Sequence, residues 1–250
     1  MSMRFLALAA DYDGTLAHHG RVDDATVAAL QRVRDSGRRL LLVTGRDLPS
    51  LFRTFAHAAL FDLVVAENGG LVYEPATGRE RALGEPPPVS LVSALRAEGV
   101  APLSVGRVVV ATVEPHHVVA LETIHRLGLG HKVVFNKGAV MLLPAGVDKA
   151  SGLAVALGEL GVLPERAVGI GDAENDHALL RLCGFGAAVA NALPALKERA
   201  HYVTRGERGA GVVELIELLI ADDLGGLRQE PSAAPAAPPM HGDVDVVPDA

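Results

Sequence analysis

Residues 5–16 read FLALAADYDGTL, an apolar run that ends in two aspartates, and this stretch decides the fold. Residues 5–10 carry no polar side chain, which is typical of a strand buried on both faces. Asp11 and Asp13 follow at positions i and i+2, a spacing that in extended backbone directs both side chains to one face. Gly14 permits a sharp turn directly afterwards. The stretch therefore predicts a buried strand with two carboxylates at its carboxyl end, where open α/β sheets bind ligands.

The composition is that of an ordinary globular protein, with 49% hydrophobic and 21% charged residues among 250. The net charge of -7 argues against a nucleic-acid partner, because such proteins present a basic face. Cys183 is the one cysteine, so no internal disulfide is expected. The first apolar run is too short for a signal peptide, and no run reaches the length of a membrane span. We expect a cytoplasmic protein without a membrane partner, either a monomer or a homodimer.

Apolar runs alternate with segments of helical spacing, as in a doubly wound α/β fold with a parallel sheet. The predicted core strands lie at residues 5–10, 40–43, 63–66, 167–170 and 187–189. Helices are predicted from a cap at Asp23 or Asp24, over residues 48–60, from Lys149, and around residues 212–219.

The alternation is interrupted in the middle of the chain. Residues 71–73 and 81–83 predict a hairpin, and Pro86-Pro87-Pro88 forms a stiff boundary behind it. Two helices and strands at 108–113, 133–135 and 140–143 then predict a small inserted α+β domain over residues 84–145. The core would consist of residues 1–83 and 146–224. Residues 225–250 are rich in Pro and Ala and predict a disordered tail.

Polar side chains stand at the carboxyl ends of four predicted core strands, and Lys149 begins a helix nearby. Because these ends share one edge of a parallel sheet, we expect the side chains to lie in one crevice. Oxygen ligands suit Mg²⁺, a lysine and a hydroxyl suit a phosphoryl group, and a carboxylate can act as nucleophile. The residues at the strand ends are Asp11 and Asp13, Thr44, Glu67 and Asn68, and Asp172, Asn175 and Asp176.

In these motifs the sequence resembles the haloacid-dehalogenase-like (HAD) superfamily over about residues 4–222. The motifs read DYDGTL at residues 11–16, TGR at 44–46, Lys149, and GDAEND at 171–176. The insert lies between the second and third motifs, as in the Cof-type branch of sugar-phosphate and phosphoglycolate phosphatases. Residues 84–145 would then be the cap, and its short length is similar to that of archaeal-type phosphoglycolate phosphatases.

The resemblance implies a role for each motif. Asp11 would attack phosphorus, and Asp13 would protonate the leaving oxygen and later deprotonate water. Residues implied in phosphate or substrate binding are Thr44, Gly45, Arg46, Lys149 and Asn175. The implied Mg²⁺ ligands are Asp11, the backbone carbonyl of Asp13 and Asp172, with Asp176 supporting the ion directly or through water. Arg46 could contact the leaving group or could be an ordinary surface arginine.

The function expected from this resemblance is Mg²⁺-dependent hydrolysis of a small phosphorylated metabolite, either phosphoglycolate or a sugar phosphate, through an aspartyl phosphate. Related phosphorylated pumps carry Thr in place of Asp13, so the acid favours turnover by water. Two alternatives stay open, a phosphotransferase of the same fold and a silent module that binds a phospho-ligand. Whether Asn68, Lys137 or His116 contacts the substrate is also open.

Overall fold

A computed structural model describes residues 3–227, which form twelve strands and eight helices. The strands are β1 (Ala7–Asp11), β2 (Arg39–Val43), β3 (Leu63–Ala66), β4 (Leu71–Glu74), β5 (Arg79–Ala82), β6 (Ser104–Val105), β7 (Val110–Val113), β8 (His131–Asn136), β9 (Ala139–Pro144), β10 (Ala167–Gly171), β11 (Phe185–Ala188) and β12 (Tyr202–Val203). The helices are α1 (Asp24–Asp35), α2 (Leu48–Thr54), α3 (Val89–Ala97), α4 (His117–Arg126), α5 (Lys149–Glu159), α6 (His177–Leu182), α7 (Pro194–Lys197) and α8 (Arg208–Asp222).

The larger sheet has eight strands in the order β12-β11-β10-β1-β2-β3-β4-β5. The six strands from β12 to β3 run parallel, and β4 and β5 form an antiparallel hairpin at the edge. The chain proceeds from β1 to β2 on one side and returns at β10 on the other. The carboxyl ends of β1 and β10 therefore flank the point where strand order reverses, the position at which doubly wound sheets bind ligands.

The predicted α/β fold is confirmed, and the apolar runs explain it. Every residue of β1, β3 and β10 is buried, as expected for strands covered by helices on both faces. Asp23 caps α1, because its side chain accepts a hydrogen bond of 2.7 Å from the backbone N–H of Thr26.

Several element boundaries differ from the prediction. The helix predicted over residues 48–60 is two elements, α2 and the 3₁₀ turn Ala58–Leu60. The strand predicted from residue 108 begins at Val110. The two-residue strands β6 and β12 were not predicted from the sequence. Strands of two residues carry no periodicity that a sequence pattern can detect.

The smaller sheet is antiparallel, with the order β6-β7-β9-β8, and it lies within residues 84–145. Helices α3 and α4 supply buried residues such as Leu91, Leu95 and Ile124 to a hydrophobic cluster shared with this sheet. The sheet and helices form the inserted α+β cap. We propose residues 84 and 145 as the boundaries of the cap.

A second apolar cluster joins the cap to the larger sheet. It contains Val108, Val109, Met141 and Leu143 from the cap, and Val147 from the chain that leads into α5. Close packing at this junction leaves no room for larger side chains, since a Cβ added at Gly70 or Gly84 would lie 2.9 Å from Val108.

Glu67 fastens the β6–β7 turn to the larger sheet. It follows β3 and is 3% exposed, and its carboxylate accepts backbone N–H bonds from Arg107 (2.8 Å), Val108 (2.9 Å) and Val109 (3.1 Å). A carboxylate offers enough lone pairs for three donors, whereas an amide presents only one oxygen. Position 67 therefore requires a carboxylate side chain.

Replacing Glu67 with Gln is expected to destabilise the protein by about 1–3 kcal/mol, because at least one buried N–H loses its acceptor. Hydrogen exchange at Arg107, Val108 and Val109 should accelerate more than exchange in β1. Glu80→Gln is the matched control, since Glu80 forms an exposed pair with Arg107 at 3.0 Å that is worth little. Equal exchange rates in the two variants would refute the fastening role of Glu67.

The predicted tail begins with the 3₁₀ turn Gly225–Leu227, and its remaining residues, 228–250, lie outside the described chain. Leu224 is buried against the core directly before this turn. Within residues 3–227, no helix is long and apolar enough to span a membrane.

Candidate active site

The two aspartates of the first motif have different partners. Asp11 ends β1 and is 3% exposed, and its Oδ1 accepts a hydrogen bond of 2.6 Å from Nζ of Lys149. Asp13 lies in the following turn and is partly exposed, and Arg46 donates to both of its oxygens, from Nε at 2.6 Å and from Nη2 at 2.7 Å. Gly14 has a φ of +88°, which makes the turn easy for glycine and strained for other residues. The loop thus separates a buried acid from a solvent-facing one.

Lys149 is a fully buried ammonium that links two carboxylates. Asp148 caps α5 by accepting a hydrogen bond of 2.9 Å from the N–H of Ser151, and this places Lys149 in the first helical turn. Its Nζ donates to Asp11 at 2.6 Å and to Asp176 at 2.7 Å. Burial alone would lower the pKa of Lys149, but the adjacent carboxylates of Asp11 and Asp176 raise it above its ordinary value. Lys149 is therefore a permanent cation beneath the acid cluster.

Asp11, Asp172 and Asp176 form a buried acid cluster whose ligand atoms all lie within 4.8 Å of one another. Oδ2 of Asp176 accepts from the N–H groups of Asp172 (2.9 Å) and Ala173 (3.0 Å), which fixes the turn after β10. Thr15 donates to Asp172 at 3.0 Å. Burial and the neighbouring acids raise the pKa of Asp11 well above its usual value, and burial raises the pKa of Asp172.

The acid cluster fits a divalent metal ion. Crowding three buried carboxylates is electrostatically unfavourable, and one buried ammonium does not balance three negative charges. The donors are all oxygen atoms, the set that Mg²⁺, Ca²⁺ and Mn²⁺ prefer over softer metals. The carboxylate of Asp13 is absent from the cluster, so its ligand role through the backbone carbonyl stays a prediction.

The second motif forms a tight loop after β2. The Thr44 hydroxyl is buried and accepts a hydrogen bond of 3.1 Å from the N–H of Arg46, and Asp47 rather than Thr44 caps α2. Met141 of β9 approaches this loop, since a Cβ added at Gly45 would lie 3.3 Å from its sulfur. The structure thus engages Arg46 with Asp13, a partner that neither sequence hypothesis for Arg46 considered.

Asn68 and Asn175 form a buried amide pair beside this loop. Nδ2 of Asn175 donates to Oδ1 of Asn68 at 2.9 Å. The remaining atoms, Nδ2 of Asn68 and Oδ1 of Asn175, are buried and have no hydrogen-bond partner in the described chain. Buried polar atoms are almost always paired, so these two atoms need partners from outside the described residues, either water or a polar ligand group.

Three further residues support the site. Thr15 and Asn191 were not identified as functional from the sequence, and the role of Lys137 was an open question. Thr15 could have been found, because its hydroxyl is part of the quoted first motif. Asn191 carried no signal, yet its Nδ2 donates to the Gly14 carbonyl at 2.8 Å and its Oδ1 accepts from the N–H of Arg208 at 2.7 Å. Lys137 reaches from the cap and pairs with Asp172. The His116 ring lies elsewhere, with Nε2 3.0 Å from the Ala101 carbonyl.

A doubly wound core, an inserted cap and a buried Asp–Lys–Asp site define a phosphoryl-transfer hydrolase. The family model described as haloacid dehalogenase-like hydrolase matches residues 8–81 and 121–216, and the chain belongs to this family. It is a HAD-type phosphatase of the Cof branch, as the sequence motifs predicted.

Two curated relatives are similar over most of their length. The phosphoglycolate phosphatase of Methanothermobacter thermautotrophicus is 31% identical over 216 residues, which cover 84% of this chain and 96% of that protein. The phosphoglycolate phosphatase of Archaeoglobus fulgidus is 33% identical over 222 residues, which cover 85% of this chain and 96% of that protein.

Solved structures support the fold. A haloacid dehalogenase-like hydrolase from Bacteroides thetaiotaomicron is similar with a TM-score of 0.75 at 21% identity, covering 86% of this chain and 99% of that one. A HAD/COF-like hydrolase from Plasmodium vivax is similar with a TM-score of 0.73 at 18% identity, covering 86% of this chain and 95% of that one.

Proposed function

We propose that the protein is a Mg²⁺-dependent phosphomonoesterase that hydrolyses a small phosphorylated metabolite, phosphoglycolate first among the candidates, through an aspartyl phosphate on Asp11. The observation that carries this proposal is the buried ammonium of Lys149, held between Asp11 and Asp176 at 2.6 and 2.7 Å. It fixes one oxygen of Asp11. Within the described residues no hydrogen bond reaches the other oxygen, Oδ2, so that atom is available for attack.

The chain's own residues account for a two-step reaction. Oδ2 of Asp11 forms a bond to phosphorus while the bond to the leaving oxygen breaks, and Asp13 gives that oxygen a proton. Asp13 then takes a proton from water, the water oxygen bonds to phosphorus, and the bond to Asp11 breaks. Lys149 neutralises charge on the phosphoryl oxygens throughout, and the Thr44 hydroxyl orients them by a hydrogen bond. Arg46 donates to both oxygens of Asp13, which suits the ionised Asp13 that takes the proton from water. One of these hydrogen bonds has to open when Asp13 carries the proton that it gives to the leaving oxygen.

Asp11, Asp172, Asp176 and the backbone carbonyl of Asp13 would hold Mg²⁺. When bound, this ion supplies positive charge that stabilises the transferring phosphoryl group. Support for a hard divalent ion comes from the all-oxygen donor set and its surplus negative charge. Asp176 contributes to the site in a second way, because it also orders the turn that carries Asp172.

The choice of phosphoglycolate is supported by the two relatives named as phosphoglycolate phosphatases, each covered over 96% of its length. Met141 of the cap approaches the Thr44–Gly45 loop, so the cap contributes a side chain next to the second motif. A sugar phosphate remains the second candidate.

Phosphate release from a panel of phosphomonoesters tests the proposal. We expect Mg²⁺-dependent release that is fastest with phosphoglycolate and falls at least about 100-fold in excess chelator, because the acid cluster then repels the anionic substrate. Adding Mg²⁺ back should restore the rate, which controls for irreversible damage.

Three other outcomes would contradict parts of the proposal. Fastest release from a sugar phosphate would change the substrate and keep the mechanism. Full activity in chelator would refute the metal dependence. Release that requires an added alcohol acceptor would identify a phosphotransferase.

A further inference from the structure

The turn between β8 and β9 places a lysine in an unusual conformation. Residues Asn136 and Ala139 are paired across the hairpin, so Lys137 and Gly138 form a two-residue turn with φ of 47° and 87°. Such turns favour Asn, Asp or Gly at the first position, because positive φ is strained for other residues. Strain of this kind persists where the surrounding structure holds the residue in place, and it is frequent at active sites.

The side chain of Lys137 enters the active site from the cap. Its Nζ pairs with the fully buried Oδ2 of Asp172, and a Cβ added at Gly14 would lie 2.8 Å from that Nζ. Of the lysines and arginines described in the cap, only Lys137 contacts the acid cluster. Arg107, Arg126 and Lys132 pair instead with Glu80, Glu98 and Asp148.

The ammonium of Lys137 and a divalent ion would compete for the carboxylate of Asp172. A dication at the cluster would repel the ammonium and compete with it for Asp172. Lys137 extends from the cap and is 41% exposed, whereas Lys149 lies in the core and is 0% exposed. The two ammonium groups therefore reach the acid cluster from different parts of the molecule.

We infer that Lys137 selects substrates whose leaving group carries a carboxylate, by pairing with that carboxylate once a metal ion has displaced it from Asp172. This inference rests on the proposed phosphomonoesterase function. Lys149 would pair with the phosphoryl oxygens, so the ammonium of Lys137 is available to pair with a carboxylate on the leaving group. The core ammonium of Lys149 would thus recognise the phosphoryl group, and the cap ammonium of Lys137 would recognise the leaving group.

Two substrates that differ only in the second anion test this inference. Phosphoglycolate carries a carboxylate where 2-hydroxyethyl phosphate carries a neutral hydroxymethyl group. Lys137→Met should lower kcat/KM for phosphoglycolate about 10- to 100-fold, the value of one charge-assisted hydrogen bond, and change that for 2-hydroxyethyl phosphate less than about threefold. Lys137→Arg should keep most of the preference, and Lys132→Met, in the adjoining strand β8, should leave both values unchanged.

Calorimetric titration with Mg²⁺ alone gives a readout that is independent of turnover. Lys137→Met should bind Mg²⁺ at least about fivefold more tightly than wild type, because no ammonium competes for Asp172. Equal losses with both substrates, or unchanged Mg²⁺ affinity, would overturn the inference. If wild-type protein hydrolyses no phosphomonoester of the panel, the proposed function fails and the inference fails with it. Hydrolysis of both substrates by wild type with an unchanged ratio in Lys137→Met overturns only the inference.

Discussion

Replacing Asp11 with Asn is expected to reduce phosphate release at least about 10⁴-fold and to leave the protein folded. Asparagine has the shape of aspartate but is a poor nucleophile, and its oxygen can still accept the hydrogen bond from Lys149. Rapid quenching with ³²P-labelled substrate should detect a phosphorylated protein in wild type and none in the variant. Residual turnover within tenfold of wild type would exclude Asp11 as the nucleophile.

The pH dependence of the stability of Asp11→Asn supplies a control, because the direction of its change relative to wild type follows from the raised pKa of Asp11. Asp11 has a raised pKa in the folded, metal-free protein, so folded protein binds an extra proton above pH 4. Wild-type stability in chelator should therefore fall as pH rises above that value, by up to about 1.4 kcal/mol per pH unit for this group. Asp11→Asn lacks this loss, and its melting temperature should rise relative to wild type between pH 4 and 7. If the difference in melting temperature between the variant and wild type stays the same from pH 4 to 7, Asp11 is not desolvated as the structure indicates.

Much of the site was predictable because each of its main residues follows a buried strand. Strand ends at one edge of a parallel sheet must converge, so Asp11, Thr44 and Asp172 could be placed together from the apolar runs alone. Lys149 could be added because it begins a helix that returns to the same edge. These inferences need only the period of the sequence and the direction of the strands.

The parts that were missed depend on side-chain direction and on long-range contacts. Arg46 could have faced any of several partners, and its pairing with Asp13 joins residues 33 positions apart in the sequence. Asn191 is 177 positions from Gly14, and no local sequence pattern predicts their contact. Whether Lys137 contacts the substrate stays a prediction. Its contact with Asp172 depends on the β8–β9 register, which the sequence pattern alone does not determine.

Replacing Lys149 with Met should combine a loss of activity with a loss of stability that depends on pH. Phosphate release should fall about 10³-fold, because a preorganised cation leaves the phosphoryl site. Asp11 and Asp176 would lose their shared ammonium in a fully buried place, which costs about 3–5 kcal/mol when both are ionised. Urea unfolding of wild type and variant in chelator measures this cost.

The pH dependence separates lost charge from lost packing. Without Lys149, the pKa of Asp11 rises further in the folded state, so the cost is small near pH 5, where protonation relieves it, and grows toward pH 8. Lys132→Met is the matched control, because Lys132 is 39% exposed and pairs with Asp148 at 3.3 Å, which predicts a cost below about 1 kcal/mol at every pH. Mg²⁺ should recover part of the stability of Lys149→Met by supplying the missing positive charge. A cost that stays constant from pH 5 to 8 would show that Lys149 acts through packing alone, and the acid cluster would then need no permanent cation.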